Sequence, residues 1–207
     1  MNGRTTGRPW EQPFAWWGPP WARPNLLSLA DLIAQGVINA EKVAWLADHV
    51  RRGRSVVVAA LRSGTGKSTL AHALIAEVDP ERSRVYVRGS YEPFDWLASS
   101  DPNRTTILVN EISDHLPVYC WGVCAKRVLA LAANGYQVIA TLHADSPASF
   151  VALLKAPEIG ASDADIVALD IGVFLDITAS GERRVSGIMD ISTDPDSGRT
   201  VMRQVGP

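Results

Sequence analysis

The sequence predicts an α/β fold: a parallel sheet flanked by helices, with a C-terminal β-hairpin. Three observations carry this prediction. Short apolar, β-branched runs alternate with segments of helical period between residues 55 and 155, as in a parallel sheet covered by helices. A glycine-rich turn joins the first such run to the first such helix. Beyond residue 173 two strand-like runs flank Ala179-Ser180-Gly181-Glu182, which reads as a hairpin.

The elements follow in chain order. Residues 1–25 hold four of the seven tryptophans (Trp10, Trp16, Trp17, Trp21) and five of the thirteen prolines. They read as an extended arm, packed on its own domain or docked on a neighbour through exposed tryptophans. Residues 26–54 read as linker helices. Ser28 caps one that runs through Ile33 and ends near Gly36. Asn39 caps a second with an apolar stripe of Val43, Leu46, Ala47 and Val50. Arg51, Arg52 and Arg54 suit the negative end of that helix. Strands are expected at residues 55–60, 84–88, 105–110 and 137–142, and helices at 67–78, 117–134 and 147–155. The last of these begins at Pro147 behind Ser146. Val173 to Thr178 and Arg184 to Ile191 form the hairpin, and Asp194-Pro195-Asp196-Ser197-Gly198 forms a further turn.

The turn after the first strand carries the chemistry. Leu61-Arg62-Ser63-Gly64-Thr65-Gly66-Lys67-Ser68 matches the phosphate-loop pattern G-x-x-x-x-G-K-[ST] except at its first letter, where Leu61 replaces glycine. Gly64 and Gly66 allow backbone angles that a side chain forbids, so successive N–H groups form an anion nest at the start of a helix. Lys67 reaches the β- and γ-phosphates, and the Ser68 hydroxyl holds Mg²⁺. The expected nucleotide contacts are Ser63, Gly64, Thr65, Gly66, Lys67, Ser68 and Thr69, with a nucleoside triphosphate and Mg²⁺ as ligands. Leu61 either restricts the backbone or changes the path into the loop.

Bulk properties narrow the function class. A chain of 207 residues with 46% hydrophobic content is large enough for a sizeable core. A net charge of −2 advertises no nucleic-acid partner. No apolar run approaches the ~20 residues of a membrane span and no signal-peptide pattern precedes the fold, which predicts a cytoplasmic location. Cys120 and Cys124 fall four apart on one face of an expected helix, with His115 nearby. A fourth metal ligand is missing, so the pair reads as buried reduced thiols.

Two further strand ends bear polar groups. Thr106-Ile107-Leu108-Val109-Asn110-Glu111 is an apolar strand ending in a carboxylate. In phosphate-loop enzymes such an acid lies near Mg²⁺ and the attacking water. Val138-Ile139-Ala140-Thr141-Leu142-His143-Ala144-Asp145-Ser146 is a strand ending in Thr and His. Together the two segments resemble the bacterial type II/type IV secretion ATPases, the motors of secretion systems, type IV pili and conjugation. That family has a strand ending I-L-V-G-E-x-R-D and a histidine box T-L-H-x-x-S. Leu29-Ala30-Asp31-Leu32-Ile33-Ala34-Gln35-Gly36 and Arg183-Arg184-Val185-Ser186-Gly187-Ile188 also resemble the family's flanks, so the likeness spans roughly residues 26–191.

The resemblance implies a RecA-like P-loop ATPase domain over residues 55–207, built as a parallel sheet flanked by helices, with ATP as its nucleotide. It implies a ring oligomer, a hexamer, working on membrane-embedded secretion or pilus platform proteins from the inner face of the membrane. The family's separate N-terminal domain is expected to be absent, with only the linker helices and the tryptophan arm ahead of the ATPase domain. Lys67 and Ser68 take the phosphate and Mg²⁺ positions, Glu111 that of the second acid, and His143 that of the γ-phosphate sensor. The family's acidic box I-E-D-P-x-E aligns with Val87-Arg88-Gly89-Ser90-Tyr91-Glu92, where only Glu92 survives, in the position of the base or water-positioning residue.

The departures cluster around the same site. Arg88-Gly89 replace an acid pair, Asn110 replaces glycine and Ser113 replaces arginine. The stretch between Glu92 and Glu111, where the family carries catalytic arginines, is shortened. Arg62, Arg88 and Arg104 are the stand-in candidates for transition-state charge. The expected catalytic set is Glu92, Glu111 and His143, in a motor that hydrolyses ATP. One alternative is a nucleotide-binding scaffold subunit without efficient hydrolysis. Another is a small-molecule kinase, which the size permits but which needs an acceptor pocket and an arginine-bearing lid.

Overall fold

A computed structural model describes residues 26–205; the tryptophan-rich arm falls outside the described residues. Seven strands form one sheet in the order β2-β3-β4-β1-β5-β6-β7. They are β1 (Val56–Ala59), β2 (Ser83–Tyr86), β3 (Thr105–Ile112), β4 (Gln137–Leu142), β5 (Ile171–Ile177), β6 (Arg183–Thr193) and β7 (Thr200–Gln204). The first five run parallel, and β6 and β7 add antiparallel. The expected α/β fold and its C-terminal hairpin are therefore both present.

Strand β1 lies between β4 and β5, and every residue of it is buried. A strand covered on both faces reads as a continuous apolar run, and Val56-Val57-Val58-Ala59 is one. Its side chains alternate between two cores. Val56 and Val58 join α1 (Leu29–Ala34), α2 (Ala40–Arg51) and α3 (Lys67–Ile75) through Leu32, Leu46, Val50, Leu70 and Leu74. Val57 and Ala59 join the opposite core, with α4 (Val123–Ala133), α5 (Pro147–Lys155) and α6 (Asp163–Val167), through Val128, Leu129, Phe150 and Ile166.

The caps explain where helices start. Ser28 and Asp31 form a reciprocal capping box on α1, and the Asn39 side chain accepts from the Lys42 amide on α2. The bounds expected for β4 and α5 are those observed.

The helix expected from residue 117 starts only at Val123. Before it, Cys120 lies in an isolated parallel bridge with Ile112, and its amide donates to the Glu111 carbonyl at 2.9 Å. Gly122, at φ 57°, then redirects the chain into α4. The two cysteines thus do not share a helix face, although their sulfurs approach to 2.8 Å. Helix α6 and strand β7 add to the elements expected. No described helix is long and apolar enough to cross a membrane.

Candidate nucleotide site

The loop after β1 has the backbone that its glycines predict. Gly64 and Gly66 sit at φ 78° and 97°, a region costly for other residues. A Cβ at Gly64 would meet nothing within 4 Å, whereas one at Gly66 would touch the Arg183 and Leu175 side chains at 3.6 and 3.8 Å, so the loop is open at Gly64 and covered at Gly66. The buried Thr65 donates its hydroxyl to the Arg62 carbonyl at 3.1 Å and pins the turn. Gly66 caps α3 without a capping side chain, which leaves the amides of the first helical turn to a ligand. Leu61 has no positive φ and lies 49% exposed. The leucine therefore enters the loop on an ordinary backbone.

Residues 63–70 line a cavity of about 410 Å³ together with Glu111, Tyr119 and Arg183, with Leu32 of α1, and with Leu27, Gln35 and Val37 that flank that helix. That volume is in the range of small-ligand pockets. Lys67 is buried and donates Nζ to the Ala60 carbonyl at 3.1 Å. Burial lowers its pKa from the ordinary value, and the Glu111 carboxylate opposes that shift.

A bulge places Glu111. Val109 pairs with Ala140 and Ile112 pairs with Leu142, so β3 carries one residue more than β4 at this point. Bulges re-aim side chains. Here the Thr141 hydroxyl reaches the Asn110 carbonyl at 2.5 Å, and the Glu111 side chain, 14% exposed, joins the cavity wall. His143, just past β4, brings Nδ1 to 3.5 Å from Glu111 Oε1. That nitrogen is buried and meets the carboxylate without full hydrogen-bond geometry. Burial first, then Lys67 and His115, push the His143 pKa down against the pull of Glu111. Burial raises the Tyr119 phenol, and Glu111 adds to it.

Glu92 stands apart from this group. It does not line the cavity. One oxygen accepts from the Arg88 amide at 3.0 Å, and the other from the Phe94 amide at 2.9 Å and Trp96 Nε1 at 3.0 Å. Gly89, at φ 58°, lies where a Cβ would fall 2.0 Å from the Val118 carbonyl oxygen. At Gly89, the second of the two positions where the family carries its acid pair, a side chain has no room because the backbone of residues 118 and 119 occupies that space. The structure thus gathers Lys67, Ser68, Glu111 and the loop glycines around one cavity, sets His143 against Glu111, and engages the Glu92 carboxylate within its own segment.

The arginine at the cavity is Arg183, not one of the three stand-ins. From the start of β6 its Nε donates to the Gly64 carbonyl at 2.7 Å, and its side chain lines the cavity. Arg104 pairs with Glu81 at 3.3 Å on the exposed surface, and Arg62 faces a second hollow with Leu61, Asp145 and Asp176. Arg183 lies 119 residues from Gly64, so no local pattern points to the contact. Its place in the tail segment that resembles the family was the available signal.

The VirB11 ATPase of the Brucella suis type IV secretion system, solved in complex with sulphate, matches this chain with a TM-score of 0.54. The fold is that of VirB11. Identity is 19%, over 83% of this chain and 58% of the VirB11 chain, so the likeness spans little more than half of VirB11. The Legionella pneumophila ATPase DotB matches with a TM-score of 0.45 and 15% identity, over 86% of this chain and 49% of DotB. No protein-family model matches the chain, and no curated protein is significantly similar to it.

Proposed function

We propose that this chain binds ATP with Mg²⁺ in the cavity over residues 63–69 and hydrolyses it, as the motor domain of a type II/type IV secretion, pilus or conjugation system. The observation that carries the reading is the open glycine loop faced by Lys67 and Glu111 across one cavity. The loop amides and Lys67 hold the phosphates, and Lys67 leaves the Ala60 carbonyl to do so. Ser68 holds Mg²⁺, which supplies charge neutralisation when bound. Glu111 orients water toward the γ-phosphate. Arg183 brings the positive charge that the shortened segment lacks. His143, held against Glu111, passes the state of the phosphate to its neighbours. In this reading the protein works as a hexameric ring at the cytoplasmic face of a membrane, against platform proteins embedded in it.

Phosphate release by the wild type, beside Lys67→Ala and Glu111→Gln, tests this. Each substitution is expected to lower turnover by about a hundredfold or more, the scale of positioned acid–base and electrostatic groups. Turnover that survives both substitutions defeats the assignment.

One observation favours a second reading, a nucleotide-binding scaffold subunit without efficient hydrolysis. The carboxylate of Glu92, the surviving acid of the acidic box, is taken up by three donors of its own segment. ATP binding abolished by Lys67→Ala, with no phosphate release from the wild type, would select that reading.

A further inference from the structure

The reading above uses Glu111 and His143 and leaves His115 without a part. His115 follows β3 in the turn after Glu111, with its side chain 54% exposed. Its ring stands edge-on to that of His143, with centroids 4.5 Å and planes 78° apart. Ligand atoms of Glu111, His115 and His143 all lie within 4.8 Å of one another, and the Glu111–His143 pair is at 3.5 Å. The buried Nδ1 of His143 meets the Glu111 carboxylate at 3.5 Å without full hydrogen-bond geometry, and a buried polar atom so weakly satisfied is uncommon. A cation between these three groups would satisfy it.

We propose that Glu111, His115 and His143 bind a divalent transition-metal cation of the zinc class, at a position distinct from the Mg²⁺ held by Ser68. Ligand atoms around a tetrahedral zinc with bonds of about 2.0–2.2 Å lie roughly 3.3–3.6 Å apart. The triangle therefore needs to contract by about an ångström, which rotation of the exposed His115 side chain supplies. The other two ligands come from the ends of the paired strands β3 and β4, a rigid support for a metal site. Two imidazoles and one carboxylate leave a fourth position for water, as in open zinc sites. Imidazole nitrogens suit zinc, copper and nickel, whereas Mg²⁺ takes oxygen, so the donor set discriminates against the cation that accompanies ATP. The sulfurs of Cys120 and Cys124 face each other and lie outside this donor set. A metal here takes the Glu111 carboxylate away from water and so opposes turnover. That consequence rests on the hydrolytic reading; the site itself does not.

The test uses the full chain without nucleotide. Zinc titrated calorimetrically in millimolar Mg²⁺ is expected to bind as a single equivalent. His115→Ala and His143→Ala should each weaken that binding by at least about tenfold. Because His115 is exposed, its replacement leaves the fold intact, and circular dichroism checks this. Cobalt in place of zinc should give the visible bands of a nitrogen–oxygen site, without the near-ultraviolet band of a thiolate ligand. Absence of zinc binding overturns the proposal, as does binding unchanged by His115→Ala, displacement by Mg²⁺, or a cobalt–thiolate band.

Discussion

Residues 61–68 and 87–96 both follow the C-terminal end of a parallel strand, β1 and β2 respectively, yet one segment is open and the other is filled. Above the loop, a Cβ at Gly64 meets nothing, and residues 63–70 line a cavity. In 87–96, Gly89 is pressed against the Val118 carbonyl and Glu92 serves three donors of its own segment. Where a strand end is open, glycines shape the wall of a cavity. Where it is filled, glycine makes room for the chain itself. The same residue type, and a surviving acid, take different work according to what occupies the space beside them.

The sharpest way to break this comparison is to add a methyl group on each side. Gly89→Ala places a Cβ against backbone at positive φ. Left-handed strain and the shift of residues 118–119 should together cost about 3–4 kcal/mol. Gly64→Ala meets only the strain, about 1–2 kcal/mol, while weakening nucleotide binding. Urea denaturation of the two variants measures the gap, and equal losses remove the distinction.

Glu92→Ala comes next. Removing the acceptor of three hydrogen bonds should cost about 2–3 kcal/mol of stability and leave the turnover of the remaining folded protein within about fivefold. A loss of turnover near a hundredfold with stability unchanged would move Glu92 back into the chemistry.

Arg183→Ala tests the roof of the open side. A charge-assisted contact is worth about 1.5–3 kcal/mol, so nucleotide affinity should fall by about tenfold or more in equilibrium binding, with little change in melting temperature. Unaltered affinity would mean that the roof rests on the loop without contacting the ligand.

The smallest effect lies away from both segments. Asp163 accepts from Lys155 at 2.8 Å and from the Thr200 amide at 2.6 Å, tying α6 to the start of β7. The Lys155 contact, then those of Thr200, hold its carboxyl well below the usual range. A depressed carboxyl contributes stability that is present above its unfolded pKa, near 3.9, and is lost as pH falls toward the folded value. Asp163→Asn should therefore lower stability at neutral pH and flatten the acid branch of the stability profile below about pH 5. Parallel acid branches for wild type and variant would show that the tie contributes nothing.

The sheet was largely legible because burial on both faces writes itself as β-branched runs, as in residues 56–59 and 137–142. The loop was legible because its constraints are local, and glycine spacing encodes them. Helix α6 could have been found, since Ser162 and Asp165 form a capping box visible as letters. Three features were not legible. The start of α4 depends on Cys120 bridging to Ile112, a pairing across a turn that no periodicity records. The placing of Glu111 depends on a bulge measured against β4. The contact of Arg183 with Gly64 depends on hairpin register, which one residue more or less in the turn would change. The sequence likeness placed Glu92 with the acids at the site, whereas the hydrogen bonds that engage it are made with its own neighbours.

The clasp of Arg183 on Gly64 also sets an order in time. The polypeptide is made from its N-terminal side, so the loop, Lys67 and Glu111 leave the ribosome well before the hairpin does. A nascent chain that has reached β5 carries every residue that lines the cavity except Arg183, which roofs it. Only a chain synthesised into β6 has the finished cavity, so that cavity matures late in translation rather than when its glycine loop first appears.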